Sequence, residues 1–225
     1  MAAAIECLIE TGSKRTFACA AAWPGWCRQG RDEDAAMQAL EAYRPRYASA
    51  LKATGVPFGG IRGSLRIAER TGGNATTDFG APDAVYELDA DVISAREWAR
   101  FRRVLEACWA AFDRAVTVAE GVELTKGPRG GGRDLGSIVG HVVGAEVSYL
   151  RTLTGRAVQV DDDDPWSARE REREAVLAWL DLAKAGELPE RGPRGGVLWT
   201  PRRFLRRTAW HVLDHAWEIE DRAAG

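Results

Sequence analysis

The segment Arg206–Arg222 reads RRTAWHVLDHAWEIEDR and predicts a helix, because no Gly or Pro interrupts it. His211 and His215 lie four residues apart, so they occupy one face of that helix. The chain has only three histidines. The third, His141, lies in another predicted helix, Asp134–Leu153. Three histidines on two helices are a candidate metal site inside a helical bundle.

The length and charge of the chain limit the classes of protein to which it can belong. Its 225 residues suffice for one large or two small domains. The net charge of −2 argues against nucleic acid or an acidic membrane as partner. No apolar run is long enough to cross a bilayer, and the first residues lack the basic region of a secretory signal. We therefore expect a cytoplasmic protein that acts on a small molecule.

The cysteines are expected to be free thiols in a reducing compartment. Their spacing forms no C-x-x-C pair and is not dense enough for a disulfide framework or a zinc knuckle. The four positions are Cys7, Cys19, Cys27 and Cys108.

The first fifty residues predict a small α/β module. Residues 5–12 and 15–22 predict two strands joined by a tight turn. Residues 23–26 predict a second turn with two tryptophans, and Asp32–Lys52 predicts a helix with Asp32 as N-cap and a kink at Pro45.

A resemblance to a known family begins at this second turn. The residues that carry it are Trp23-Pro24-Gly25-Trp26-Cys27-Arg28-Gln29-Gly30, followed by Asp34-Ala35 and a helix. This part resembles the small HicB-like domain of bacterial toxin–antitoxin systems, which implies a β-hairpin packed on a helix. No toxin-like or DNA-binding segment lies beside it, so we expect a protein-interaction or structural module rather than an antitoxin.

The next stretch, residues 56–92, is rich in Gly, Thr and Asp and predicts short strands or an extended linker. The predicted strands are Ser64–Glu69, Ala75–Phe79 and Val85–Leu88, which would complete a sheet with the first two. The composition changes near residue 92, so we expect one domain over 1–92 and another over 93–225.

The second domain is predicted to be a four-helix bundle, which makes the fold class α+β. Ser94 and Glu97 form a capping box before an amphipathic helix that ends near Glu120. The next helices follow as Asp134–Thr154, Ser167–Lys184 and the helix of His211, for which Thr200 is the expected N-cap and Pro201 the first residue. Residues 127–133 form a basic glycine-rich loop, which a linker explains better than an RNA contact.

The plain alternative for the histidines is that they are hydrogen-bonded core residues. Gly136, Gly140 and Gly144 argue against this for His141, because each costs about 1 kcal/mol of helix stability relative to alanine. Either a neighbouring helix packs closely against them or a cavity is kept open. Trp210 and Trp217 lie on a different stripe of their helix and are expected in the core.

Three neutral imidazoles would leave coordination positions open for water or substrate. Zinc or nickel is the expected ion, although Fe²⁺ and Cu²⁺ also bind imidazole. Candidate groups to orient the ring nitrogens are Asp214, Glu218 and Glu146, each with an ordinary salt bridge as the alternative. Tyr149 is expected to line the cavity or to pack.

The helical half of the chain resembles the DinB/YfiT-like superfamily of four-helix-bundle metalloproteins. The matching residues are His141 in Gly140-His141-Val142-Val143-Gly144-Ala145-Glu146, and His211 and His215 in Trp210-His211-Val212-Leu213-Asp214-His215. The resemblance implies that these three histidines bind the metal. The family includes mycothiol-dependent maleylpyruvate isomerases and other thiol S-transferases, which implies a low-molecular-weight thiol as a cofactor. A homodimer is also expected, since such bundles often self-associate.

Two functions follow as hypotheses. The first is a metal-dependent enzyme that activates a water or a thiol, as a thiol S-transferase or a hydrolase. The second is a non-catalytic protein, with a structural metal or none, whose N-terminal module binds a partner. A metalloprotease of the H-E-x-x-H type is not expected, because Val212 stands where the catalytic glutamate would be.

Overall fold

The computed structural model describes residues 4–58, 62–126, 132–157 and 165–224. The fold is α+β: a four-stranded mixed sheet in the first part of the chain is followed by a largely helical region. The chain divides into two compact units. One comprises Met1–Ala110 with Leu205–Trp210, and the other comprises Ala111–Phe204 with His211–Gly225. The domain boundary near residue 92 stays a prediction.

The sheet of the first unit contains β1 (Ile5–Thr11), β2 (Thr16–Ala20), β3 (Cys27–Gly30) and β4 (Leu65–Gly72). Their order is β3-β2-β1-β4. The first hairpin is antiparallel, as the sequence predicts, and β4 pairs with β1 in parallel. β3 was not predicted, because its four residues show no alternation of apolar and polar side chains.

The predicted single helix Asp32–Lys52 is wrong, because the structure has two helices there. α1 spans Glu33–Ala42 and α2 spans Arg44–Leu51. Pro45 lies in the first turn of α2, where its missing N–H and fixed φ do no harm. The predicted N-cap is confirmed: Asp32 Oδ1 accepts a hydrogen bond of 2.8 Å from the backbone N–H of Ala35.

Two predicted strands are also wrong. Ala75–Phe79 is a short helix, α3, whose N-cap Asn74 accepts a hydrogen bond of 2.8 Å from the backbone N–H of Thr76. Glu87–Ala90 is one turn of 3₁₀ helix rather than part of a strand. Thr and Val favour strands, but the Asn74 cap and the turn hydrogen bonds stabilise helical turns in these two segments. Strand propensity read over so few residues does not reveal these contacts.

The expectation of four free thiols is corrected by a disulfide between Cys19 and Cys27. These residues lie directly opposite each other on β2 and β3, so strand pairing brings together two cysteines that are eight apart in sequence. Both are buried beside Phe17 and Trp210 of the same unit. Cys7 and Cys108 are buried and form no disulfide.

The remaining helices are α4 (Ala95–Ala119), α5 (Leu135–Thr154), α6 (Pro165–Ala185) and α7 (Pro201–Ala223). All four were predicted with nearly these bounds. The caps are confirmed as well: Ser94 and Glu97 bond reciprocally, and Thr200 Oγ1 accepts from the backbone N–H of Arg203 at 3.2 Å. None of the helices, over the residues described, is long and apolar enough to span a membrane.

The second unit joins its helices through polar contacts as well as through apolar packing. α5 packs against α6. On α4, Asp113 accepts two hydrogen bonds from Arg173 of α6, at 2.8 and 3.1 Å. Trp217 of α7 is buried, as predicted. Residues 127–131 of the glycine-rich loop lie outside the described residues.

Candidate metal centre

The three histidines meet in the second unit, although His141 lies 70 residues before His211. One ring nitrogen from each of the three lies within 4.8 Å of the others. The Nε2 atoms of His141 and His211 are 3.2 Å apart. Nitrogens that share a tetrahedral Zn²⁺ ion at bonds of 2.0–2.1 Å stand about 3.4 Å apart. The closest pair therefore already has this spacing, whereas a pair at the upper limit of 4.8 Å would have to close by about 1.4 Å to share an ion.

The rings face one another at steep angles. Their centroids are 4.6 to 5.0 Å apart, and their planes are inclined by 64° to 83°. His211 is buried, whereas His141 and His215 are partly exposed. The group is thus anchored in the unit on one side and reachable from solvent on the other.

The electrostatic surroundings keep His141 neutral. Burial, the neighbouring His215 and the charge of Arg133 lower the pKa of His141 to about 4. At neutral pH its ring therefore carries no charge and retains a lone pair. Only this neutral form of imidazole can bind a metal ion.

Glu218 fixes the orientation of His215. It lies one turn further along α7, and its Oε2 is 2.7 Å from His215 Nδ1. This hydrogen bond lowers the pKa of Glu218, which favours its ionised form. Because an ionised carboxylate can only accept a hydrogen bond, we assign the proton of the neutral His215 ring to Nδ1. The Nε2 atom of His215 then presents its lone pair. A carboxylate on the far nitrogen of a histidine is the usual second contact around metal-binding imidazoles.

Arg222 holds Glu218 in turn. Its guanidinium is buried and donates from Nη1 to Glu218 Oε1 at 2.8 Å. It also donates from Nε to the carbonyl of Thr125 at 2.7 Å and from Nη2 to the carbonyl of Arg133 at 2.8 Å. Gly132 lies so close to this guanidinium that a Cβ atom at position 132 would collide with Nη2 of Arg222.

Aromatic side chains flank the histidines on one side. The Tyr149 ring stands edge-on to His211, with centroids 5.7 Å apart, and lies 5.4 Å from the ring of Trp199. The guanidinium of Arg203 lies 4.5 Å from the centroid of Trp199. Tyr149 therefore packs against the ring of His211, and its expected place in a cavity wall stays a prediction.

The structure brings together the three histidines that the sequence grouped, and it places Glu218 beside one of them, but the sequence missed Arg222. Of the three acids proposed to orient the rings, Glu218 contacts a histidine, whereas Glu146 faces Glu172 of α6. A signal for Arg222 was present: it lies four residues after Glu218, the spacing of an ion pair along one helix face. Its contacts with Thr125 and Arg133, by contrast, depend on chain segments about ninety residues away.

Comparison with protein-family models, with curated proteins and with solved structures gives no match to this chain. The resemblances to the DinB-like and HicB-like families therefore stay predictions.

Proposed function

We propose that this chain is a metal-dependent enzyme of the DinB-like type, in which His141, His211 and His215 hold a divalent ion, either zinc or nickel. The observation that carries the proposal is the convergence of the three ring nitrogens within 4.8 Å of one another. Three imidazoles suit either ion and leave a coordination position open. The DinB-like bundle and the HicB-like interaction module are part of the same proposal.

The surrounding residues define the state of two of the three histidines. His141 is neutral at pH 7 because its pKa lies at about 4. His215 keeps its lone pair on Nε2, because its Nδ1 lies 2.7 Å from the carboxylate of Glu218 and donates to it. The partial exposure of His141 and His215 leaves an approach for a small molecule. An ion held there would lower the pKa of a coordinated water or thiol and polarise a carbonyl group.

The proposed reaction class is transfer to a low-molecular-weight thiol, with hydrolysis by activated water as the alternative nucleophile. A thiol becomes a better nucleophile when it loses its proton, and a metal site of neutral histidines favours that loss. The choice of a thiol comes from the DinB-like resemblance.

The test begins with elemental analysis of untagged protein purified without chelators. We expect close to one zinc or nickel ion per chain, and none in a variant that combines His211→Ala with His215→Ala. Glu220→Ala, an exposed position on the same helix, is the matched control and should retain the metal. The parent should release its metal as the pH falls below about 6, because protons compete for imidazole.

Catalysis is then tested separately from binding. Metal-loaded protein is screened for thiol transfer and for ester and amide hydrolysis, before and after chelation. Activity that disappears with the metal and returns on reloading supports the enzyme. Metal binding without any such activity would favour the non-catalytic alternative. No metal in the parent after reconstitution with zinc and nickel would refute the site itself.

A further inference from the structure

Four side chains follow one face of α7 at intervals of four, three and four residues: His211, His215, Glu218 and Arg222. The first two belong to the candidate metal centre. The other two continue away from it as a chain of short hydrogen bonds, 2.7 Å from His215 Nδ1 to Glu218 Oε2 and 2.8 Å from Arg222 Nη1 to Glu218 Oε1. Both oxygens of Glu218 are therefore engaged, so its carboxylate cannot rotate without breaking a charge-assisted bond.

The remaining donors of Arg222 are directed at another part of the same unit. They bond the carbonyls of Thr125 and Arg133, and Thr125 returns two bonds of 3.0 Å, from its N–H and its hydroxyl, to the carbonyl of Arg222. Arg133 lies two residues before α5, the helix that carries His141. Arg222 thus connects the helix of two histidines to the segment that leads into the helix of the third.

This contact is specific for arginine in its geometry. Three acceptors lie around one planar group, and each faces a different nitrogen of the guanidinium. Lysine would offer one compact charge and could not reach all three in these directions. Gly132 adds a steric condition, since any side chain at that position would displace the guanidinium.

We propose that Arg222 is a positioning residue for the metal centre, which acts through Glu218 to hold His215 as the Nδ1–H tautomer with Nε2 directed at the other two histidines. The inference rests on the proposed function, because a fixed His215 ring serves metal binding only if His215 is a metal ligand. Arg222 itself does not contact the histidines; its role is to fix the carboxylate that does.

The first experiment reads the tautomer directly in metal-free protein. Long-range ¹⁵N–¹H NMR spectra distinguish a protonated Nδ1 from a protonated Nε2. In the parent, His215 should be a single Nδ1–H tautomer. In Arg222→Met, which removes the donors but retains much of the side-chain volume, His215 should become a mixture. Arg171→Met, an exposed arginine on α6, is the control and should leave the signal of the parent.

The second experiment measures Zn²⁺ affinity by competition with a chromophoric chelator at pH 7. Loss of a group that orients a ligand typically weakens metal binding 10- to 100-fold. We expect a loss of this size for both Arg222→Met and Glu218→Gln, and little further loss when the two are combined, because they act in one chain of contacts. Arg222→Lys should recover only part of the affinity.

The two readouts separate the inference from the function on which it rests. A parent that binds neither Zn²⁺ nor Ni²⁺ refutes the proposed metal site, while the NMR signal still decides whether Arg222 sets the tautomer. A parent that binds Zn²⁺, with an Arg222→Met variant that keeps both the tautomer and the affinity, overturns the inference alone. Should Arg222→Met fail to fold by circular dichroism, Arg222→Lys and Glu218→Gln give the same comparison.

Discussion

At the scale of single residues, Glu172 of α6 is an unusual group, because its carboxyl is fully buried and faces the buried Glu146 of α5. Burial, and secondly the charge of Glu146, raise the pKa of Glu172 well above its ordinary value, and Arg173 offsets only part of this. Two carboxyl groups in such contact form a hydrogen bond only if one of them is protonated. The folded chain therefore retains a proton that the unfolded chain releases.

This proton makes stability depend on pH. Above the unfolded pKa of about 4.5, the unfolded chain ionises at Glu172 while the folded chain does not, so the free energy of unfolding falls as pH rises. Glu172→Gln removes the titration and should stabilise the protein more at pH 8 than at pH 5. Urea unfolding of both at the two pH values measures this, with the exposed Glu174→Gln as control. An equal difference at both values would contradict a retained proton.

The histidines show how far single residues could be predicted. Their scarcity and helical spacing sufficed to group them, because both are properties of the sequence alone. The contacts of Arg222 were beyond this reasoning, since they depend on where Thr125 and Arg133 lie after folding. The same limit applies to Cys19 and Cys27, which are paired by the register of two strands.

At the scale of elements, α5 contains glycines that the structure does not use for close packing. A Cβ atom at Gly144 would meet none of the described atoms within 4 Å, and one at Gly136 would meet only Asp134, at 3.7 Å. Of the two alternatives, close packing of a neighbouring helix or a space kept open, the described residues around these two positions agree with the second.

Gly144→Ala should consequently raise the free energy of unfolding, by about 0.5 to 1 kcal/mol, because alanine restricts the unfolded chain and favours the helix. Gly155, which ends α5 with φ of +69°, is the opposite case. Gly155→Ala should lower the free energy of unfolding by about 1 to 2 kcal/mol, because L residues disfavour this conformation. Urea denaturation compares the two variants. Destabilisation by Gly144→Ala would indicate that the open space beside α5 is needed.

The long helices were easier to predict than the short elements. α4, α5 and α7 carry side-chain caps and at least five turns of apolar periodicity, which identify a helix before any packing is known. β3 and α3 have four and five residues and depend on their neighbours. β3 is a strand because β2 pairs with it, and α3 is a helix because Asn74 caps it.

At the scale of the whole molecule, two of the four cysteines form a covalent cross-link and the other two are reduced thiols. Protein purified without reductant and alkylated in guanidinium should gain two adducts by intact mass, and four after reduction. A Cys19→Ser, Cys27→Ser variant should gain two in both conditions. Four adducts before reduction would mean that all four cysteines are thiols and that the disulfide does not form. That result would agree with the expected reducing compartment, where such bonds do not persist.

The strand order has a consequence for synthesis of the chain. β1 lies between β2, which follows it at once, and β4, which ends at Gly72. The hairpin can form as soon as residue 20 has emerged from the ribosome. More than fifty further residues must then be synthesised before β4, the parallel partner of β1, is complete. At 5 to 20 residues per second, this interval lasts roughly 3 to 10 s. For that time the nascent chain displays an unpaired strand edge, which is the feature that chaperones and neighbouring nascent chains bind.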